Sequence, residues 1–245
     1  MVVEVVTDDL RVRRAPGVID SSTTLEPRLE RGAKLFVAEG PVESTGFEWF
    51  HVLLFDGELT MPGKVVDEEV FYDGWVAAAD TNGERWLEPF KPACPTKPDS
   101  VEALLALGNS DEDRGATTLA CFAGEPITIM ARIFDCDVSA EFAGTDRCGA
   151  ETGGGTLGPG WFDDSRQFIA APDGKLDQER MLDLNADPQG QYPDPMPYGQ
   201  RVLVTGQYNH PAADACTLTW YSPVSHPTVD CRTTFAVTRI EPVEP

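Results

Sequence analysis

"LRVRRAPG", Leu10 to Gly17, decides how this chain is read. Leu10 and Val12 alternate with Arg11 and Arg13, so in a β-strand the apolar pair takes one face and the guanidinium pair the other. A helix would need apolar residues recurring at three and four positions, and the stretch has none. Pro16-Gly17 then supplies a turn. The arginines can lie along an outer surface with their stems over apolar neighbours, and Asp8, Asp9, Glu26 and Glu30 are available as partners. Recognition of an anion is the alternative use of the same groups.

The same short-strand texture extends to Phe90. "VVEVV" (2–6), "AKLFVAE" (33–39), "EWFHVLLF" (48–55) and "GWVAA" (74–78) are β-branched, aromatic or alternating, and no window keeps a helical period over three turns. Asp56 to Asp73 is too long for a tight hairpin turn and reads as an elaborated loop or an extra hairpin. "KPACPTKPDS" (91–100) places Pro92, Pro95 and Pro98 in a stiff connector. Beyond it, Asp99 with Glu102 forms a capping box, Val101, Leu104 and Leu105 give an apolar face, and Gly108 ends one short helix. The rest returns to period two. "EPITIMARIF" alternates Ile127, Ile129, Ala131 and Ile133; "QRVLVTGQY" sets Val202 and Val204 against Leu203 and Thr205; "CRTTFAVTRI" continues the pattern. "TGGGTLGPG" and "YPDPMPYG" mark irregular loops. The expected architecture is all-β: a small barrel over 1–90, a linker over 91–99, and a second small barrel with one helix over 100–245, since closure removes exposed strand edges.

Charge narrows the partners. The 245 residues carry 41 acidic and 19 basic side chains, a net of -22, and such a field repels phosphate backbones. Nucleic acid is therefore not expected as a partner. No apolar run approaches the roughly 18 residues of a membrane span. The start "MVVEVVTDDL" lacks the basic and apolar regions of a signal peptide, so an exported protein would have had its leader or anchor trimmed.

All six cysteines lie beyond residue 90. None is spaced as C-x-x-C, and with three histidines a zinc cluster finds little support. An even, widely spaced set fits disulfides and an oxidising, extracellular or cell-surface setting. Cys216–Cys231 would close a modest loop; Cys121–Cys148 and Cys94–Cys136 complete one set among the 15 pairings that six cysteines allow.

Several motifs together resemble the bacterial SH3 domain, a family of small β-barrels in exported and cell-wall proteins. Leu10, Val12, Arg13, Pro16 and Gly17 form the first motif, and Leu29, Gly32, Leu35 and Val37 the second. Trp49 with Val52, then Gly74, Trp75 and Val76, complete the order over residues 3–90. The Asp56–Asp73 insertion and "WLEP" (86–89) depart from the pattern. "GQRVLVTGQYNHPAADAC" and "CRTTFAVTRIEP" are similar to OB-fold-like modules of exported bacterial proteins. The resemblance implies a non-enzymatic extracellular binding or spacer protein whose partner is peptidoglycan or an extracellular protein. The alternative is an accessory fragment of a cell-wall hydrolase.

Candidate chemistry is sparse. Phe47, Trp49, Phe71, Tyr72, Trp75 and Trp86 could build a shallow groove, because flat aromatic faces suit sugar rings and peptide backbones. Phe47, Trp49, Phe71 and Tyr72 are the candidate ligand-binding residues; the alternative for Trp49 and Trp75 is that they are core residues of a small barrel, and for Trp75 that is the favoured reading. "DLNADPQGQYPD" (183–194) has oxygen ligands at the calcium-loop positions 1, 3 and 5, yet Pro188 replaces the turn Gly and Asp194 the final Glu, so it reads as a polar surface loop. His210 or His226 could pair with Asp214 or Asp230, but both histidines precede proline in loops. Asp163 and Asp164, adjacent in sequence, would point to opposite faces of a strand and cannot flank one bond. No catalytic residue, metal or cofactor is expected.

Overall fold

The computed structural model describes residues 1–63, 69–108, 115–136, 148–149, 167–170, 181–183, 185–194, 196–197, 199–211, 213 and 227–243. The chain is mostly β-sheet with a few short helices and divides into two compact units. The first contains Met1–Cys94 together with Asp111–Cys121 and Thr219–Asp230; the second contains Pro95–Ser110, Phe122–Leu218 and Cys231–Pro245.

In the first unit, seven strands run in the order β3-β2-β6-β5-β4-β1-β7. They are β1 (Val2–Val5), β2 (Leu10–Arg13), β3 (Thr24–Leu29), β4 (Lys34–Ser44), β5 (Phe47–Leu54), β6 (Asp73–Ala77) and β7 (Leu87–Pro89). The strand path does not close on itself among the described residues. Alternation decides what each strand buries. Leu10 and Val12 enter the core with Val3, Leu35, Val52, Leu54 and Val76, while Arg11 stays exposed. Gly74 belongs to this inward face, and a Cβ there would meet Val12 Cγ1 at 2.4 Å, so only hydrogen lets β2 and β6 pack this closely. Within Asp56–Asp73, the described ends pair as isolated bridges, Leu59 with Phe71 and Glu26 with Thr60. The loop after β2 is tied down from several sides. Arg13 Nη1 donates to the Ser22 carbonyl at 2.7 Å, Ser22 Oγ to the Ala15 carbonyl at 2.5 Å, and the Val18 amide to Thr45 Oγ1 at 3.0 Å.

The second unit holds a sheet ordered β11-β10-β8-β13-β14-β12, with β9 paired to β8. Its strands are β8 (Ile127–Cys136), β9 (Cys148–Gly149), β10 (Gln167–Ala170), β11 (Met181–Asp183), β12 (Asn185–Gln191), β13 (Arg201–Gln207) and β14 (Ala236–Pro242). Ile127, Ile129, Ala131 and Ile133 are buried together on one side of β8, and Val202 and Val204 on one side of β13. The alternation in the sequence had this consequence.

Several expectations need correction. Among the described residues there are three helices where one was expected: α1 (Val101–Gly108), α2 (Ala116–Phe122) and α3 (Pro227–Thr233). The latter two have seven residues each, too short for a helical period to stand out. Ser100, not Asp99, caps α1, its Oγ accepting from the Ala103 amide at 3.2 Å. The calcium-like stretch is largely strand β12, parallel to β14, with a register shift between Ala186 and Gln191 that accommodates Pro188 on a sheet edge. The disulfide pairing also differs. Cys94 bonds Cys121, their Cα atoms 5.6 Å apart, which excludes both Cys94–Cys136 and Cys121–Cys148. The unread helix α2 is what brings Cys121 to the connector. Cys136 and Cys148 are instead cross-strand partners in the β8–β9 register. Cys231 is disulfide-bonded; Cys216, the partner expected for it, lies outside the described residues, as do Asp163, Asp164, Asp214, His226 and "TGGGTLGPG".

Candidate binding groove

The strands that build the first core also build a groove on its opposite face. Antiparallel register puts Arg13 beside Trp75, Trp75 beside His51 and His51 beside Glu39, one row across β2, β6, β5 and β4. The next row pairs Ala77 with Trp49 and Trp49 with Val42. Continuing the β2–β6 register sets Arg11 at the end of that second row. Where the first row carries a Trp, the second carries an Ala, and the missing volume opens a cavity of about 330 Å³. Leu10, Arg11, Arg13, Phe47, Trp49 and Ala77 line it from the sheet, with Thr7 to Asp9, Val18 and Trp86 around the rim.

The aromatic wall is held from several directions. Phe47 stacks with Trp86 at a centroid distance of 6.1 Å and meets Trp49 edge-on at 6.2 Å. Trp49 is 3% exposed, and its Nε1 donates to the Ser44 carbonyl at 2.9 Å, so it serves as floor. Phe47 and Trp86 are half-buried. Trp86 is fixed by its backbone, which accepts from the Val6 amide at 2.9 Å and donates to Ala78 at 2.7 Å. Before it comes a turn in which Asp80 accepts from the amides of Glu84 at 2.7 Å and Asn82 at 2.9 Å; these bonds, the Glu84 amide first, hold its carboxyl below the usual Asp range.

The three arginines of the opening stretch have separate duties. Arg14 stacks over the Phe71 ring at 4.8 Å and pairs with Glu69 at 3.7 Å; Glu69 was not among the carboxylates expected to serve. Arg13 holds the loop through Ser22. Arg11 is exposed at the cavity, and among the described residues nothing pairs with it. Asp8 pairs with Arg31 at 3.4 Å. Asp9 is exposed in the left-handed region with φ 58°, a conformation uncommon for any residue but glycine.

Of the four candidate ligand-binding residues, Phe47 and Trp49 line the cavity, and Phe71 and Tyr72 are not in its lining. Tyr72 is half-buried near Glu58; desolvation, then that charge, raises its phenol pKa. Trp75 is half-buried against His51, whose Nε2 is 2.9 Å from Asp73 Oδ2. Asp9 was read only as a carboxylate available to the arginines, and Ala77, Thr7 and Val18 carried no usable signal, because an alanine in a strand means "space" only when its cross-strand neighbours are known. In the second unit, His210 Nε2 lies 3.4 Å from Asp187 Oδ2. Tyr192 lies nearby, its hydroxyl within hydrogen-bond distance of the Asp187 and Val237 carbonyls, and burial raises its pKa and keeps it protonated. Among the described residues, no group of metal-binding side chains is found and no helix is long and apolar enough to cross a membrane. No family model matches this sequence, and no curated protein or solved structure is significantly similar to it.

Proposed function

We propose that this protein is a non-enzymatic binding or spacer protein of the bacterial exterior, whose N-terminal unit is an SH3-like barrel that engages cell-wall peptidoglycan or an extracellular protein, and whose second unit is an OB-like barrel. One observation carries this reading: the cavity over β2, β6 and β5 joins aromatic side chains to an exposed guanidinium and exposed carboxylates. Such a lining suits reversible stacking and hydrogen bonding. The extracellular setting is supported by the Cys94–Cys121 bond and by the absence of a free cysteine among the described residues, since disulfides persist where reductants are scarce.

Co-sedimentation of the full chain with purified bacterial cell walls tests the proposal. The chain should pellet with the walls, and Trp86→Ala should reduce the pelleted fraction. Failure to pellet removes the peptidoglycan reading. Release of soluble muropeptides by the chain alone would replace it with the hydrolase alternative.

A further inference from the structure

Resting on that reading, we infer that the groove takes a neutral saccharide, one ring lying against Phe47 and Trp86 while Arg11 and Asp9 grip its hydroxyls. The argument starts from charge. In a chain of net -22, the cavity lining contains two aspartates and two arginines, so the groove is locally balanced. Two of these four are occupied by the fold, Asp8 by Arg31 and Arg13 by Ser22. The remaining pair, Asp9 and Arg11, supplies one acceptor group and one planar donor group two residues apart in sequence. A sugar hydroxyl both donates and accepts, so neighbouring hydroxyls satisfy a carboxylate and a guanidinium together. An anionic ligand would satisfy only Arg11 and would meet Asp9 and the surrounding negative field. A cationic one would reverse the mismatch.

Shape agrees with charge. The C–H faces of a pyranose ring are apolar and flat and pack against half-buried rings such as Phe47 and Trp86. About 330 Å³ lies at the small end of the usual range for ligand sites, about 300–1,000 Å³. Ala77 is the residue that leaves this room, and its larger neighbour in the adjacent row, Trp75, shows what the sheet does where no cavity is kept. Asp9, in its left-handed backbone conformation, directly precedes β2, which carries Arg11, so the two polar groups reach the cavity from one end of one strand.

The test is a tryptophan-fluorescence titration of the full chain with a soluble tetramer of N-acetylglucosamine and, separately, with the pentapeptide L-Ala-D-γ-Glu-L-Lys-D-Ala-D-Ala. The tetramer should bind saturably, with Kd changing less than about twofold between low and high salt, because no net charge is transferred. Arg11→Gln and Asp9→Asn should each weaken it about tenfold, equivalent to about 1.4 kcal/mol. Both side chains are exposed, and asparagine tolerates the left-handed region, so these variants keep the fold even if Trp86→Ala does not. Pentapeptide binding without tetramer binding overturns the inference in favour of a peptide ligand. Tetramer binding unaffected by Arg11→Gln and Asp9→Asn overturns it by placing the sugar elsewhere. Binding of whole walls but of neither probe overturns the inference and leaves the wall-binding proposal standing.

Discussion

One face of the N-terminal sheet receives Leu10, Val12, Val52, Leu54 and Val76, all buried, and meets Leu25 and Leu29 of β3. The other face of the same strands presents Arg11, Arg13, Phe47, Trp49, His51 and Trp75. The two faces share every backbone hydrogen bond, so strand propensity and register cannot distinguish them. What differs is tolerance. The aliphatic face is packed to the point where a glycine hydrogen is required at 74, whereas the other keeps an open space at 77. The lesson is that a period-two strand carries two separate specifications, one for stability and one for recognition, and substitutions can address them one at a time.

The largest effect is expected on the aliphatic face. Leu25 is 0% exposed, and Leu25→Ala should destabilise the first unit by about 2–5 kcal/mol, from lost transfer energy plus the cavity left behind. Chemical denaturation followed by tryptophan fluorescence reads this. A loss below about 1 kcal/mol would mean that the sheet does not depend on this face as its core. Gly74→Ala comes next, at about 1–3 kcal/mol, because the added methyl meets both Val12 Cγ1 and the Arg13 carbonyl. It differs from Leu25→Ala in kind, adding volume where the other removes it. If a crystal structure of Gly74→Ala showed β2 and β6 unmoved, the close-approach argument would fail.

The arginines sharpen the comparison because they share one face and differ only in engagement. Arg13→Gln should cost about 1.5 kcal/mol, the low end for a charge-assisted bond, since it removes the half-buried donor that holds the Ser22 carbonyl. Arg11→Gln should change stability by less than about 0.5 kcal/mol, as for other exposed positions without a partner. Equal costs for the two would erase the distinction between a structural and a recognition guanidinium.

How much of this was legible follows from the same physics. Five strands of the first unit, β1, β2, β4, β5 and β6, could be read because each holds a β-branched, aromatic or alternating run, as in "LRVRRAPG", whereas β3 carries Pro27 in its interior and β7 has only three residues. In the second unit β8 and β13 could be read for the same reason, but β12 could not. Asn185, Asp187, Pro188 and Gly190 are poor strand formers, and only pairing along β14 at the sheet edge makes the segment extended. The Cys94–Cys121 bond was hidden because it depends on α2, a helix too short to announce itself. The aromatic half of the groove could be picked out by residue type. Its polar half, and the alanine that opens it, depend on which residues stand opposite one another across strands, information that enters only with register.

The smallest effect concerns the turn that delivers Trp86. Asp80 accepts from the amides of Glu84 and Asn82 and from Asn82 Nδ2 at 3.0 Å, which favours its ionised form and lowers its pKa in the fold. In the unfolded chain the same carboxyl titrates at about 3.9. The folded state therefore binds the proton less readily than the unfolded one. The contribution of Asp80 to stability is complete above about 3.9 and is lost as pH falls from there through the lower folded value. Because the side chain is solvent-exposed, the consequence is local: the turn loosens and the position of Trp86 relaxes before the sheet unfolds. Carboxyl-carbon NMR titration should place the Asp80 midpoint below the roughly 3.9 of an aspartate in an unfolded chain, and Asp80→Asn should flatten the acid branch of the Trp86 fluorescence profile. An Asp80 midpoint at or above about 3.9 would show that the turn leaves its carboxyl unassisted, and Trp86 would then be placed by its backbone bonds to Val6 and Ala78 and by stacking with Phe47.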